Sequence, residues 1–242
     1  MSNDKYNVFN GPNRLINVLD HGYVRLVDHM GSDLSIVRAA RVSYDADWRT
    51  GENEKSDEKL IRYLMKNDHS TPFEAVTMTL EVQAPLFVFR QWHRHRTQSY
   101  NEVSARYTLL PDLFYIPEPE SIGIQSNTNK QMRLLEDNDY KDVITNTIKY
   151  HSEESYRRYE YLIEMGTPRE LARMVLPTNI YSRQFTTMNL HNAFHFLKRR
   201  LHSHAQNEIR EYAYATLELI EKFVAPVATA AFKQTILLEE GM

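Results

Sequence analysis

The sequence predicts an α/β chain of the α+β type: a single domain over residues 1–242, with a mixed or antiparallel sheet flanked by helices. Three observations predict it. Val76, Met78, Leu80 and Val82 alternate with Ala75, Thr77, Thr79 and Glu81, the period-two signature of a half-buried strand. Leu60, Ile61, Leu64 and Met65 share one helical face, and residues 143–165 form a second helical stretch. The chain has 242 residues, 42% of them hydrophobic, enough for one large core or two small ones.

The elements follow in order. Residues 22–27 and 113–116 read as short strands and 33–41 as a helix. A helix starts at Ser56, with Asp57 and Glu58 favouring its N-terminal dipole end. After the 76–82 strand, Pro85 suits the first turn of a helix reaching about Arg96. A polar loop and an extended piece over 103–108 follow. The 143–165 helix ends at Gly166 as its C-cap. Thr167-Pro168-Arg169-Glu170 has the form of a capping box with proline at the first helical position, and that helix stops near Leu176, before Pro177. Residues 179–188 read as extended. Asn189 can cap the next helix, and a last long helix runs to about Val224, ahead of Pro226. Tyr44 to Glu58 and roughly Glu118 to Asp142 read as surface loops.

Composition narrows the chemistry. Lys and Arg number 29 against 32 Asp and Glu, a net charge of −3, so the chain has no global affinity for nucleic acid. With no cysteine, thiolate catalysis, disulfides and cysteine-ligated metals are excluded. The opening MSNDKYNVFNGPNRL has no apolar signal core, and no run approaches the roughly 20 apolar residues of a membrane span. A cytoplasmic protein without membrane partners is the expectation.

The most informative stretch is Arg90 to Tyr107, RQWHRHRTQSYNEVSARY. Arg90, Arg94, Arg96 and Arg106 stand with His93 and His95 against Glu102 alone. Arginine presents a planar, permanently charged fork matched to phosphate. On a helix, Arg90, Gln91 and Arg94 can face one cleft, and Ser104 and Arg106 share a face of the extended piece. Trp92, Tyr100 and Tyr107 interrupt the charges, and the cluster follows the apolar run Leu86 to Phe89, so a solvated basic helix face fits it less well than an anionic, partly aromatic ligand.

Arg94-His95-Arg96, seven residues, then Ser104 matches the RHR-x7-S signature of flavin-dependent thymidylate synthases. Ser99-Tyr100-Asn101-Glu102, Arg106-Tyr107, His69 to Glu74 and Arg90-Gln91-Trp92 match around it. Pro168-Arg169-Glu170, Ala172-Arg173, Leu176-Pro177, His204-Ala205-Gln206 and Glu208-Ile209 match further on. The ordered set, from about Ala39 to Ile209, resembles that family over most of the chain. The resemblance implies the family fold, FAD as cofactor, dUMP, NADPH and methylenetetrahydrofolate as substrates, dTMP as product, and a homotetramer. It implies dUMP contacts at Gln91, Trp92, His93, Arg94, Glu102, Val103, Ser104, Ala105, Arg106, Arg173 and Arg200. It gives Arg200 the catalytic role of helping to ionise the uracil ring. FAD contacts are implied at His69, Thr71, Arg94, His95, Arg96, Glu102, Asn189, Leu190, His191 and His195, and no metal is implied. Ala75, His195 and His202 depart from residues common in the family.

Structural roles compete at several of these positions. Glu170 and the Thr71-x-x-Glu74 pattern can be helix caps. The tyrosines 150, 156, 159 and 161 read as packing. His191 and His195, at i and i+4, have zinc-chelating spacing, but no acidic residue lies between them. The alternative functions are a nucleic-acid-binding module on the 90–107 cluster and a metal-dependent nucleotide hydrolase on the C-terminal histidines.

Overall fold

Thr77–Pro85 forms β3, the middle strand of a five-stranded sheet in a computed structural model that describes residues 14–237. The polar opening stretch lies almost wholly outside the described residues. The other strands are β1 (Leu15–Val18), β2 (Gly22–Met30), β4 (Ser99–Glu102) and β7 (Tyr181–Asn189), in the order β1-β2-β3-β7-β4. Every neighbouring pair is antiparallel, so the mixed alternative is resolved. Gly22 opens β2 where any side chain would collide: a Cβ would lie 1.9 Å from the Tyr212 hydroxyl, which itself donates to the Gln83 carbonyl.

The alternation read in β3 sorts the two faces. Met78, Leu80, Val82 and Ala84 are buried beside Met188, Thr186, Gln184 and Ser182 of β7. Three helices, α3 (Leu86–Trp92), α6 (Leu190–Arg200) and α7 (Asn207–Phe223), pack around that core with α8 (Pro226–Phe232). On the opposite face Thr79 and Thr187 are half-buried and Phe185 is exposed, yet Glu81 is 1% exposed. Its carboxylate is tolerated there because Arg25 and Arg183 both bond to it, Arg183 at 2.7 Å.

A smaller cluster lies under α4 (Lys141–Glu164). Tyr156 and Tyr159 join Ala105, Leu110, Phe114, Ala172 and Ile180, and the Tyr156 hydroxyl donates to the Leu110 carbonyl at 2.8 Å. Tyr150 and Tyr161, on the same helix, are exposed. This cluster anchors the 103–110 segment that walls one side of the site. Helix α4 ends at Glu164 with Met165 as its C-cap, and the expected cap Gly166 follows one residue later, where it has φ +80° and donates to the Ile163 carbonyl.

Several sequence expectations need correction. The helix after Pro85 ends at Trp92, not Arg96: the Tyr100 hydroxyl, which donates to the His95 carbonyl at 2.6 Å and lies 3.2 Å from that of Trp92, holds the turned chain there. Strand β4 occupies the expected polar loop. The expected extended piece at 103–108 is instead a turn, with Tyr107 and Thr108 both donating to the Ser104 carbonyl, so Ser104 and Arg106 share no strand face. Phe114 forms only an isolated bridge to Ile180. Neither Thr71 nor Thr167 caps a helix: α5 (Arg169–Ala172) begins after Pro168 without a side-chain cap. Helix α2 (Glu54–Lys66) begins two residues before Ser56, because the Asn53 side chain accepts from the Ser56 amide. The 118–142 loop contains a small hairpin, β5 (Ile124–Gln125) with β6 (Arg133–Leu134). Helix α1 (Asp33–Val42) matches its expected bounds to within one residue.

Candidate active site

The site is built around the end of α3. Phe89 and Trp92 are buried and hold the helix on the core, with the indole stacked on Phe196 at 4.5 Å and donating from Nε1 to Gln98 Oε1 at 3.0 Å. Trp92, expected at dUMP, is therefore a core side chain. Because the helix stops here, the basic residues divide between two clefts. Arg90 and His93 face one, and Arg94, His95 and Arg96 face the other.

The first cleft, of about 370 Å³, is lined by Arg90, His93, Glu102, Ser104, Arg173 and Ser182, with an apolar wall that includes Leu86, Phe89 and Leu110. His93 Nε2 lies 2.7 Å from Gln184 Oε1, which fixes the ring. Ser182 is 4% exposed and its hydroxyl has no partner among the described residues. A buried hydroxyl without a partner is costly, so it marks a position that a ligand atom can satisfy. Val103 and Ala105 also line this cleft. Arg106 turns away from it to Glu170, 3.3 Å distant at the surface. Glu170 thus works as an ion-pair partner rather than as half of a capping box.

The second cleft, of about 520 Å³, is lined by Arg94, His95, Arg96, Thr97, His191, Asn192, His195, Arg199 and Arg200. Four arginines meet here with no carboxylate among the lining residues, and Arg94, Arg96 and Arg199 form no ion pair among the described residues. Such concentrated positive charge suits a polyanion. Arg200, half-buried at the end of α6, is the most constrained. Its Nε donates to His95 Nε2 at 3.0 Å and its Nη2 to the Gln91 carbonyl at 2.7 Å. Burial and, secondarily, Arg94 lower its pKa. His95 is pushed down to about 4, first by burial and then by Arg200, His195 and Arg199, so it stands neutral near pH 7. Burial lowers His195 as well, with help from Arg199 and His191.

A third cleft, of about 300 Å³, shares His191 and His195 with the second. Its walls are Leu64, Met65, Phe73, Phe194 and Phe232, edged by Asp68, His69, Ser70 and Lys198. An apolar slot beside a cluster of arginines with no lining carboxylate has the chemistry of a site for a planar ring system joined to a diphosphate, so the residues present fit FAD.

The expected site residues thus gather in part. His69, His191 and His195 line the apolar slot, and Arg94, His95 and Arg96 the arginine cleft. Thr71 lies exposed on the turn between His69 and Phe73. Asn189 spends its side-chain oxygen capping α6 on the Asn192 amide at 2.9 Å, and Leu190 is fully buried in the core. Gln91 is not among the residues lining the first or second cleft, and its amide donates to Gln206. Arg173 and Arg200, both expected at dUMP, line different clefts. Sequence reasoning missed Ser182, Arg199 and Lys198. Ser182 carries no local signal, since its cleft exists only where β7 passes α3 and the 102–105 turn.

Fold and clefts together define a nucleotide-binding enzyme of the α+β class, with cationic pockets for phosphorylated ligands beside an apolar slot for a ring. Residues 25–227 match the family model described as thymidylate synthase complementing protein. A flavin-dependent thymidylate synthase of Thermus thermophilus is 47% identical over 225 residues, covering 92% of this chain and 79% of that protein. One of Treponema denticola is 44% identical over 219 residues, covering 90% and 81%. The crystal structure of PolB, a UMP/dUMP methylase from Streptomyces cacaoi bound with 5-bromo-dUMP, superimposes with a TM-score of 0.82 at 34% identity, covering 91% of this chain and 98% of that one. The chain belongs to the flavin-dependent thymidylate synthase family.

Proposed function

We propose that this protein is a thymidylate synthase that methylates dUMP reductively to dTMP, with methylenetetrahydrofolate as carbon donor and FAD, reduced by NADPH, as cofactor. The observation that carries the reading is Arg200. Two of its guanidinium nitrogens are tied to His95 and Gln91, and Nη1 has no partner among the described residues, in a cleft of unpaired arginines. A fixed cation beside a uracil carbonyl stabilises the ring anion and so makes the carbon to be methylated more nucleophilic.

In this reading Arg94, Arg96 and Arg199 hold the diphosphate of FAD, while His69, His191 and His195 border its ring in the apolar slot. When bound, the flavin supplies hydride. Ser104, Arg173 and Ser182 hold the nucleotide phosphate and sugar in the first cleft, with Glu102 and the 103–105 backbone beside them. The absence of cysteine agrees with a route that needs no enzyme thiolate. Arg173 and Arg200 lie in different clefts of one chain, which supports the expectation that a homotetramer completes each site by bringing the nucleotide cleft of one copy to the arginine cleft of another. No helix among the described residues is long and apolar enough to cross a membrane, and we place the enzyme in the cytoplasm.

Visible spectroscopy tests the reading. The purified protein incubated with FAD should hold oxidised flavin, and its spectrum should shift when dUMP is added. Absence of flavin binding would sink the mechanism and leave the arginine cleft as a plain anion site.

A further inference from the structure

The side chain that aims Arg200 is itself clamped on several sides. His95 is 7% exposed and sits edge-on to Phe196, ring centroids 5.0 Å apart, with His195 at 5.9 Å. Its backbone is tied down at both ends: the amide donates to the Trp92 carbonyl at 3.0 Å and the carbonyl accepts from the Tyr100 hydroxyl at 2.6 Å. An arginine Nε always carries hydrogen, so the Nε2 facing it at 3.0 Å must be the unprotonated nitrogen and the ring proton must lie on Nδ1. The second tether of Arg200, the Gln91 carbonyl, belongs to a residue whose side chain is held by Gln206, which in turn donates to the buried Glu208 carboxylate at 2.7 Å.

We infer that His95 is a positioning residue for Arg200: its unprotonated Nε2, working with the Gln91 carbonyl, fixes the guanidinium so that Nη1 alone points to the substrate. The resemblance gives His95 to the flavin. In the structure its Nε2 is committed to Arg200, and the ring is held neutral by burial in a cationic environment, which keeps that acceptor available. A protonated ring would present a donor to a donor and release one of the two tethers. The inference rests on the assignment of Arg200 above and adds a geometric requirement to it.

Paired amide substitutions test it on the FAD-loaded enzyme. The glutamine amide reaches the Nε2 position of a histidine and the asparagine amide only the Nδ1 position, so His95→Gln keeps an acceptor for Arg200 and His95→Asn loses it. The expected result is kcat within about 5-fold of wild type for His95→Gln and a loss of about 30-fold or more for His95→Asn. FAD affinity by fluorescence quenching and KM for dUMP should change by less than about 3-fold in both variants. In an Arg200→Ala background the two substitutions should be indistinguishable, since there is nothing left to position. Equal losses in the two single variants, or a loss confined to FAD affinity with kcat intact at saturating FAD, would overturn the positioning role. If Arg200→Ala alone retains full activity, the assignment of Arg200 fails instead, and the two failures remain distinguishable.

Discussion

The carboxylate of Glu208, 2% exposed, meets the guanidinium of Arg133 at 3.1 Å and so ties the first turn of α7 to the β5–β6 hairpin. The same carboxylate accepts from the Tyr115 hydroxyl at 3.2 Å and from Gln206 at 2.7 Å, and Gln206 accepts from Gln91 beside the Arg200 tether. A buried charge of this kind is stable only with its partners. Replacing Glu208 with Ala removes that charge and leaves the Tyr115 and Gln206 donors without their acceptor, at a cost of about 1–3 kcal/mol. Arg133→Ala leaves two partners on the carboxylate and removes the hairpin's anchor. Because the partners that remain are neutral, it should cost about 3–5 kcal/mol and selectively raise amide exchange across 124–134. Uniform exchange across the chain in Arg133→Ala would show that the pair does not hold the hairpin.

Trp92 separates packing from recognition. Its indole is fully buried and stacked on Phe196, so Trp92→Phe should lower unfolding stability by about 1–3 kcal/mol while KM for dUMP stays within about 2-fold. Urea unfolding and steady-state kinetics check both halves. A large change in KM without loss of stability would return the residue to the substrate.

Ser182 offers the opposite contrast. Its hydroxyl is buried and without a partner, so Ser182→Ala should leave stability unchanged or slightly higher. If the first cleft holds the nucleotide, dUMP affinity should fall about 5- to 10-fold, the worth of one hydrogen bond. Calorimetric titration of dUMP into wild type and variant decides it, and unchanged affinity would remove Ser182 from the site.

The neutral state of His95 carries a pH dependence whose sign is fixed. Its native pKa is lowered to about 4 from an ordinary value near 6.5, so the unfolded chain binds the proton more tightly. The contribution to stability is complete above about pH 6.5 and is lost as pH falls toward 4. His195, Arg199 and Arg200 are the charged and titratable groups that lower it, and His195 shifts in the same direction. Between pH 7 and 4.5 wild type should lose more stability than His95→Gln, by up to about 2 kcal/mol. Equal losses in chemical unfolding at the two pH values would show that His95 is not the group responsible.

Much of this molecule was written locally. The period-two run at 76–82 became β3 because alternate side chains must face a core, and Asn189 caps α6 because its oxygen lies one turn from the Asn192 amide. The chemistry of the basic stretch was legible as well, since arginines in such density against a single carboxylate, Glu102, have few uses but anions. What local pattern could not determine was direction. Tyr100 reaches back to hold the chain turned after Trp92, and Arg90 and Arg94 enter different clefts. Trp92 became core because Phe196, more than a hundred residues away, covers its ring. Ser182 gained meaning only where β7 passes the 102–105 turn, and His95 only where α6 delivers Arg200 to its Nε2. Periodicity and capping act over a few residues and are carried by the sequence itself. Which side chains share a cleft depends on packing between distant segments, and that was decided by the tertiary structure alone.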